Sequence, residues 1–170
     1  MVHWKSLTGK KQPRGQSLVE LAFTLPIFLI LVLGIIEVAR LVFVYNAVYT
    51  ASREAARYGA SIGLNASGVP HYNDCAGMRA RAKQTGILAG LTDGNIIITY
   101  DSGPDSAGNV VVKGTCPIDP TQLMLGDRVV VKVTAYYSPI VPLPGFSNFP
   151  IVSTTGRTVI KDMEFNWTAP

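Results

Sequence analysis

The sequence predicts an α+β protein: a long N-terminal helix, apolar over its first half, followed by a small domain holding a short helix and an antiparallel sheet. Three observations carry this expectation. No charged residue occurs from Leu21 to Ile36, and the apolar stretch continues to Val44 with only Glu37 and Arg40 inside it. Short β-branched runs bounded by Gly, Pro, Asn and Asp occur only in the second half of the chain. The charge is sorted by position. Lys5, Lys10, Lys11 and Arg14 precede Gly15 without an acid, and of 15 Lys and Arg the remaining 11 are matched by 11 Asp and Glu. A chain of 170 residues has room for one domain and an anchor.

The first element is the helix. Leu18 to Glu37 makes about 20 residues, or roughly 30 Å of helix, which matches the hydrocarbon thickness of a bilayer. A basic flank ahead of such a run keeps the N-terminus on the cytoplasmic side. It does not indicate nucleic-acid binding, which would place basic and aromatic residues together on the folded domain. An ordinary secretory signal needs a shorter apolar region and a small-x-small cleavage site. Here the run is followed by Glu37-Val38-Ala39-Arg40. A plain anchor fits the length but leaves two features without a reason. One is Gly15 at the boundary between the basic flank and the apolar run. The other is Glu20, a carboxylate inside that run, where an unpaired charge is costly.

Further along, Glu37 with Arg40 and Glu54 with Arg57 stand three apart, so each pair can meet on one helical face. Ala47, Ala51, Ala55 and Gly59 recur every fourth residue. That row suits either close approach of another helix or seating on the chain's own domain. Pro26 lacks an N–H and is expected to loosen or kink the helix locally.

Beyond Gly59, Ser61 to Tyr72 reads as a loop. Asn73 or Asp74 is placed to cap a short helix running to about Leu88 and ended by Gly90. Ile96–Tyr100 and Val110–Lys113 form the expected hairpin, joined by Asp101–Asn109, whose carboxylates miss calcium-loop spacing. Arg128–Tyr137 is the strongest strand, with Val129, Val131, Val133 and Ala135 on one face. Val130 blurs the alternation and suggests partial cover on the other. Ser153–Phe165 is expected as the last strand. The proline-rich stretch from Pro139 to Pro150 is either a lid over the sheet edge or, through Leu143 and Phe146, a contact for a neighbouring subunit.

Cys75 and Cys116 both follow the apolar helix. With the N-terminus inside they stand outside the cytoplasm and are expected to pair; two buried free thiols are the alternative. Two cysteines and a distant His71 make no zinc set. No histidine cluster, nucleophile elbow or phosphate loop is present, so neither a cofactor nor enzymatic activity is expected. Asn65-Ala66-Ser67 and Asn166-Trp167-Thr168 match the glycosylation triplet, a pattern that arises often by chance.

Gly15 followed by Gln16-Ser17-Leu18-Val19-Glu20 resembles the type IV prepilin cleavage motif. Pro26, Gly34 to Arg40 and Ala51 to Tyr58 resemble the TadE-like family, pilin-like subunits of the tight-adherence (Tad) pilus. Val38-Ala39 departs from it where an aromatic residue and Gly are expected. The resemblance implies cleavage after Gly15 by a prepilin peptidase, Gln16 as the new N-terminus, and Glu20 paired with the α-amino group of a neighbouring subunit. The implied segments are a leader over 1–15, a helix over 16–60 with its membrane part at about 18–37, and an extracytoplasmic domain over 61–170. The implied role is a minor pilin or pseudopilin at the cytoplasmic membrane, later on the cell surface, whose partners are other pilin-like subunits and the Tad assembly machinery. Alternatives are the major subunit of a Tad-like filament, a type II secretion pseudopilin, or an unprocessed anchored binding protein.

Overall fold

The computed structural model describes residues 15–140 and 147–161. The basic flank with Lys5, Lys10, Lys11 and Arg14, the candidate contacts Leu143 and Phe146, and the Asn166 triplet lie outside the described residues. The chain divides into two compact units, Met1–Val38 and Ala39–Pro170. Helix α1, Gln16–Gly59, belongs to both.

In the first unit α1 is a helix with almost every side chain exposed, including Leu18, Phe23, Ile27, Ile30 and Ile35. Its most apolar 18-residue window has a mean hydropathy of 2.7 and is only 6% buried. Its length, apolar composition and exposure are those of a helix able to cross a membrane. The helix runs on through Pro26, whose missing N–H would otherwise meet the Ala22 carbonyl.

In the second unit the remainder of α1 lies on a four-stranded antiparallel sheet of order β2-β1-β3-β4, so the α+β class expected from the sequence is the one observed. The strands are β1, Ile96–Asp101; β2, Val112–Thr115; β3, Arg128–Tyr137; and β4, Phe149–Thr158. Val44, Val48, Ser52 and Ala56 form one buried row of the helix, and Ala47, Ala51, Ala55 and Gly59 form the next. The small-residue row therefore seats the helix on its own domain. A Cβ on Gly59 would stand 2.4 Å from the Met78 sulfur and 3.4 Å from Val129 Cγ1, so helix and sheet approach as closely as side-chain volume permits.

The inner sheet face supplies Ile96, Ile98, Tyr100, Val129, Val131, Val133, Ala135, Tyr137 and Ile151, all buried. The opposite face is open. Val130 is half-buried, but Ile97, Lys132, Tyr136 and Val152 are exposed, so the partial cover suggested by Val130 does not extend along that face. Tyr72, Met78, Ala82, Ile118 and Leu123 close the core beside α1.

Helix α2 spans Cys75–Thr85, with the Asp74 carboxylate accepting the Gly77 N–H at 2.8 Å as its N-cap. It stops three residues short of the expected Leu88. Gly86 occupies the C-cap, and a 3-10 turn over Ile87–Ala89 then ends at Gly90, whose φ of +60° suits glycine. Exposure of Ile87 and Leu88 explains the difference, because neither side chain has a core to bind it to a continued helix. The hairpin is shifted too: Asp101 closes β1, and β2 begins at Val112 instead of Val110. The last strand begins at Phe149, four residues before the expected Ser153. It pairs with the whole of β3, from Tyr137↔Phe149 to Arg128↔Thr158. Pro150 is compatible with this because β4 is an edge strand and needs only one side of its backbone for pairing.

Candidate processing and assembly site

Gly15 stands at the first turn of α1, where its carbonyl accepts the Val19 N–H at 3.2 Å. The Gly15–Gln16 peptide bond therefore sits at the start of the helix. A Cβ built on Gly15 meets nothing within 4 Å, so packing within the described chain makes no demand for glycine there.

Glu20 lies one turn beyond Gln16 and is exposed. Its carboxylate accepts a long hydrogen bond from Gln16 Nε2 at 3.4 Å, and its carbonyl accepts the Thr24 hydroxyl at 2.7 Å. Among the described residues it has no ion-pair partner. It is also the only charged residue between Gly15 and Glu37. A carboxylate at the start of an apolar helix, held only by a neutral amide of the preceding turn, is electrostatically incomplete.

The other residues singled out by the sequence serve the domain. Glu54 and Arg57 form an ion pair at 2.7 Å, with Arg57 73% exposed, which limits it to a few tenths of a kcal/mol. Glu37 belongs to the first unit and Arg40 to the second. Arg40 donates to the Ser138 carbonyl at 2.8 Å and lies 4.9 Å over the Tyr137 ring, tying α1 to the end of β3. Cys75 and Cys116 are joined in a disulfide that links the start of α2 to the chain just beyond β2. The Asn65 side-chain oxygen caps its own turn by accepting the Ser67 and Val69 N–H groups.

Three polar groupings join residues too far apart in sequence for any spacing rule to find. Arg128 grips Asp101 bidentately at 2.8 and 2.9 Å across the β1–β3 pair. Burial would raise the Asp101 pKa, but the Arg128 guanidinium and the Gly103 N–H outweigh it and hold the carboxyl below its usual range. Tyr58 donates to Asp74 at 2.7 Å. Burial and that carboxylate push the phenol pKa up. For Asp74 itself, desolvation is overcome by bonds from Asn65, the Gly77 N–H and Tyr58, and its pKa is lowered. Ser52, buried under the helix, shares its hydroxyl with Ser153 at 2.8 Å and Thr155 at 3.0 Å on β4. Among the described residues no group of three or more His, Cys, Asp or Glu converges as a metal site.

A long N-terminal helix, apolar enough over its first half to cross a membrane, and a small α+β domain together fit a membrane-anchored, pilin-like protein. Residues 15–57 match the model of the TadE-like protein family, the family that Gly15 to Tyr58 resembles. The match covers about a quarter of the chain, includes Gly15 and Glu20, and associates the segment with pilin-like subunits of the Tad pilus. No curated protein and no solved structure matches the chain.

Proposed function

We propose that the chain is a minor pilin or pseudopilin of a Tad-type pilus, cut after Gly15 by a prepilin peptidase and acting in pilus assembly and surface adherence. It does no chemistry of its own. The N-terminus starts on the cytoplasmic side, held by the basic flank, and the domain stands outside. The observation that carries the reading is Glu20, a carboxylate without a counter-charge among the described residues, four residues from the N-terminus that cleavage would create. The α-amino group of a neighbouring processed subunit is the partner it lacks, and pairing the two in a poorly solvated setting fixes the axial register between subunits. Gly15 is consistent with the same reading, since packing among the described residues makes no demand for glycine there. With its small-residue row spent on the sheet, α1 leaves Phe43 exposed on one flank and Tyr45 and Tyr49 on the other in the second unit, available to neighbouring subunits.

The test is the mature N-terminus, read by mass spectrometry of membrane-extracted protein from cells with and without the prepilin peptidase. A chain beginning at Gln16 only when the peptidase is present supports the proposal. A chain beginning at Met1 or Val2 in both strains refutes it and leaves an unprocessed anchored domain.

A further inference from the structure

A crevice of about 580 Å³ opens between α1 and the start of β4, wholly within the second unit. Leu41, Val42, Tyr45 and Asn46 form its helix wall, and Phe149 and Ile151 form its strand wall. Of these six only Asn46 lacks a large apolar body, and the surface they present to the crevice is almost wholly apolar. The strand wall is held in place by the domain. Ile151 is buried in the core, and the Phe149 ring lies 5.4 Å from that of Tyr137. Val42 and Tyr45, by contrast, are exposed. Such a lining offers no fork for an anion and few donors for a sugar, so it calls for an apolar occupant.

We propose that, while the chain is anchored in a bilayer, this crevice holds an acyl chain of a phospholipid. The proposal rests on the membrane-anchored reading of α1 and adds a lipid-binding site on the folded domain. Position in the chain supplies the occupant. Leu41 follows Glu37, the first charge after the apolar run, by four residues, or about 6 Å along a helix. The headgroup layer is itself roughly 5–8 Å deep on each side of the hydrocarbon, so the covalent chain keeps Leu41 at its level. Tyr45, with an apolar body and a polar tip, is the kind of side chain that such a boundary favours. A site tethered to the bilayer meets lipid at a high effective concentration, whereas a second copy or a free peptide must first diffuse to it.

The experiment reconstitutes the full chain in phosphatidylcholine vesicles containing a phosphatidylcholine with a diazirine in one acyl chain, and maps the photo-adducts by mass spectrometry. Adducts are expected on residues 21–36, which report the span, and on Phe149 or Ile151, which report the crevice. The double variant V42N/Y45N should lower the β4 adducts roughly tenfold, through the loss of two apolar contacts, and leave the span adducts unchanged. Ile97→Asn, exposed on the open sheet face, should change neither. Span adducts without β4 adducts would overturn the proposal, whether a second copy or residues 141–146 cover the crevice, and would leave the anchored reading standing. Absence of both would sink the anchored reading and the proposal together. Undiminished β4 adducts in V42N/Y45N would also overturn the proposal. Val42 and Tyr45 are exposed, so circular dichroism should show the variant folded. If it is not, V42N alone should lower the β4 adducts about threefold.

Discussion

Reducing the Cys75–Cys116 disulfide should lower the stability of the domain by about 4 kcal/mol without changing its fold. The bond closes a loop with a sequence separation of 41, and the chain-entropy model assigns a loop of that size about 4 kcal/mol, most of it arising from the unfolded chain. The native junction keeps other ties. The Asn73 side chain accepts the Ile118 N–H at 2.9 Å, and the Tyr100 hydroxyl donates to the Tyr72 carbonyl across the same region. Helix α2 should therefore stay seated when the sulfurs are separated. For a domain of this size the loss corresponds to a fall in Tm of roughly 15 °C. The assay is thermal and guanidinium unfolding of the full chain in detergent, oxidised and reduced, followed by circular dichroism. Comparing the two states of one sequence isolates the crosslink, and C75A/C116A under oxidising conditions should reproduce the reduced protein. A loss below about 1 kcal/mol would mean that the unfolded chain is already constrained near these residues. Loss of helix and sheet signals on reduction would mean that the bond holds the native junction together, and the entropic argument would fail.

Asp101→Asn should cost about 2 kcal/mol, less than a fully buried pair because the Arg128 side chain is 28% exposed. The Asp101 pKa is depressed in the folded protein, so its contribution is complete above the unfolded value near 4 and disappears as pH falls through the folded value. Unfolding measured from neutral pH down to about pH 2 should accordingly show a shallower acid slope in the variant; an identical slope would remove Asp101 from the account. Ala55→Leu should cost about 1–3 kcal/mol by forcing α1 off the sheet, whereas Thr50→Leu on the exposed face should stay within about 0.5 kcal/mol. Equal effects at the two positions would mean that α1 is not seated as described.

The elements governed by local chemistry were legible in the sequence. Arg128–Tyr137 matches β3 end for end because buried and solvent-side residues alternate along it, and Asp74 was a readable cap because its partner lies three residues away. The small-residue row was visible as well. Its seat was not, since Gly59 meets Met78 and Val129, and no spacing within the helix records which surface those residues supply. Phe149 and Pro150 were misread because proline suggests a loop until the strand is known to lie at the sheet edge. At the candidate site, Gly15 and Glu20 could be singled out because a glycine and a carboxylate interrupt a pattern that is otherwise basic and then apolar. The Asp101–Arg128 pair could not, because its members come from different strands and meet only in the folded sheet.

The seat of α1 also decides how the domain would respond to tension. A pull applied at Ala39 along the helix axis does not peel the helix away one turn at a time. It asks two interlocked rows, from Val44 to Gly59, to slide across the strands together, with the Ser52 hydroxyl bonds as a cross-pin near the middle. The first group to feel the strain is Arg40, clasped by the Ser138 carbonyl and the Tyr137 ring at the near end. Under traction the domain should behave as a shear joint, resisting abruptly and yielding all at once.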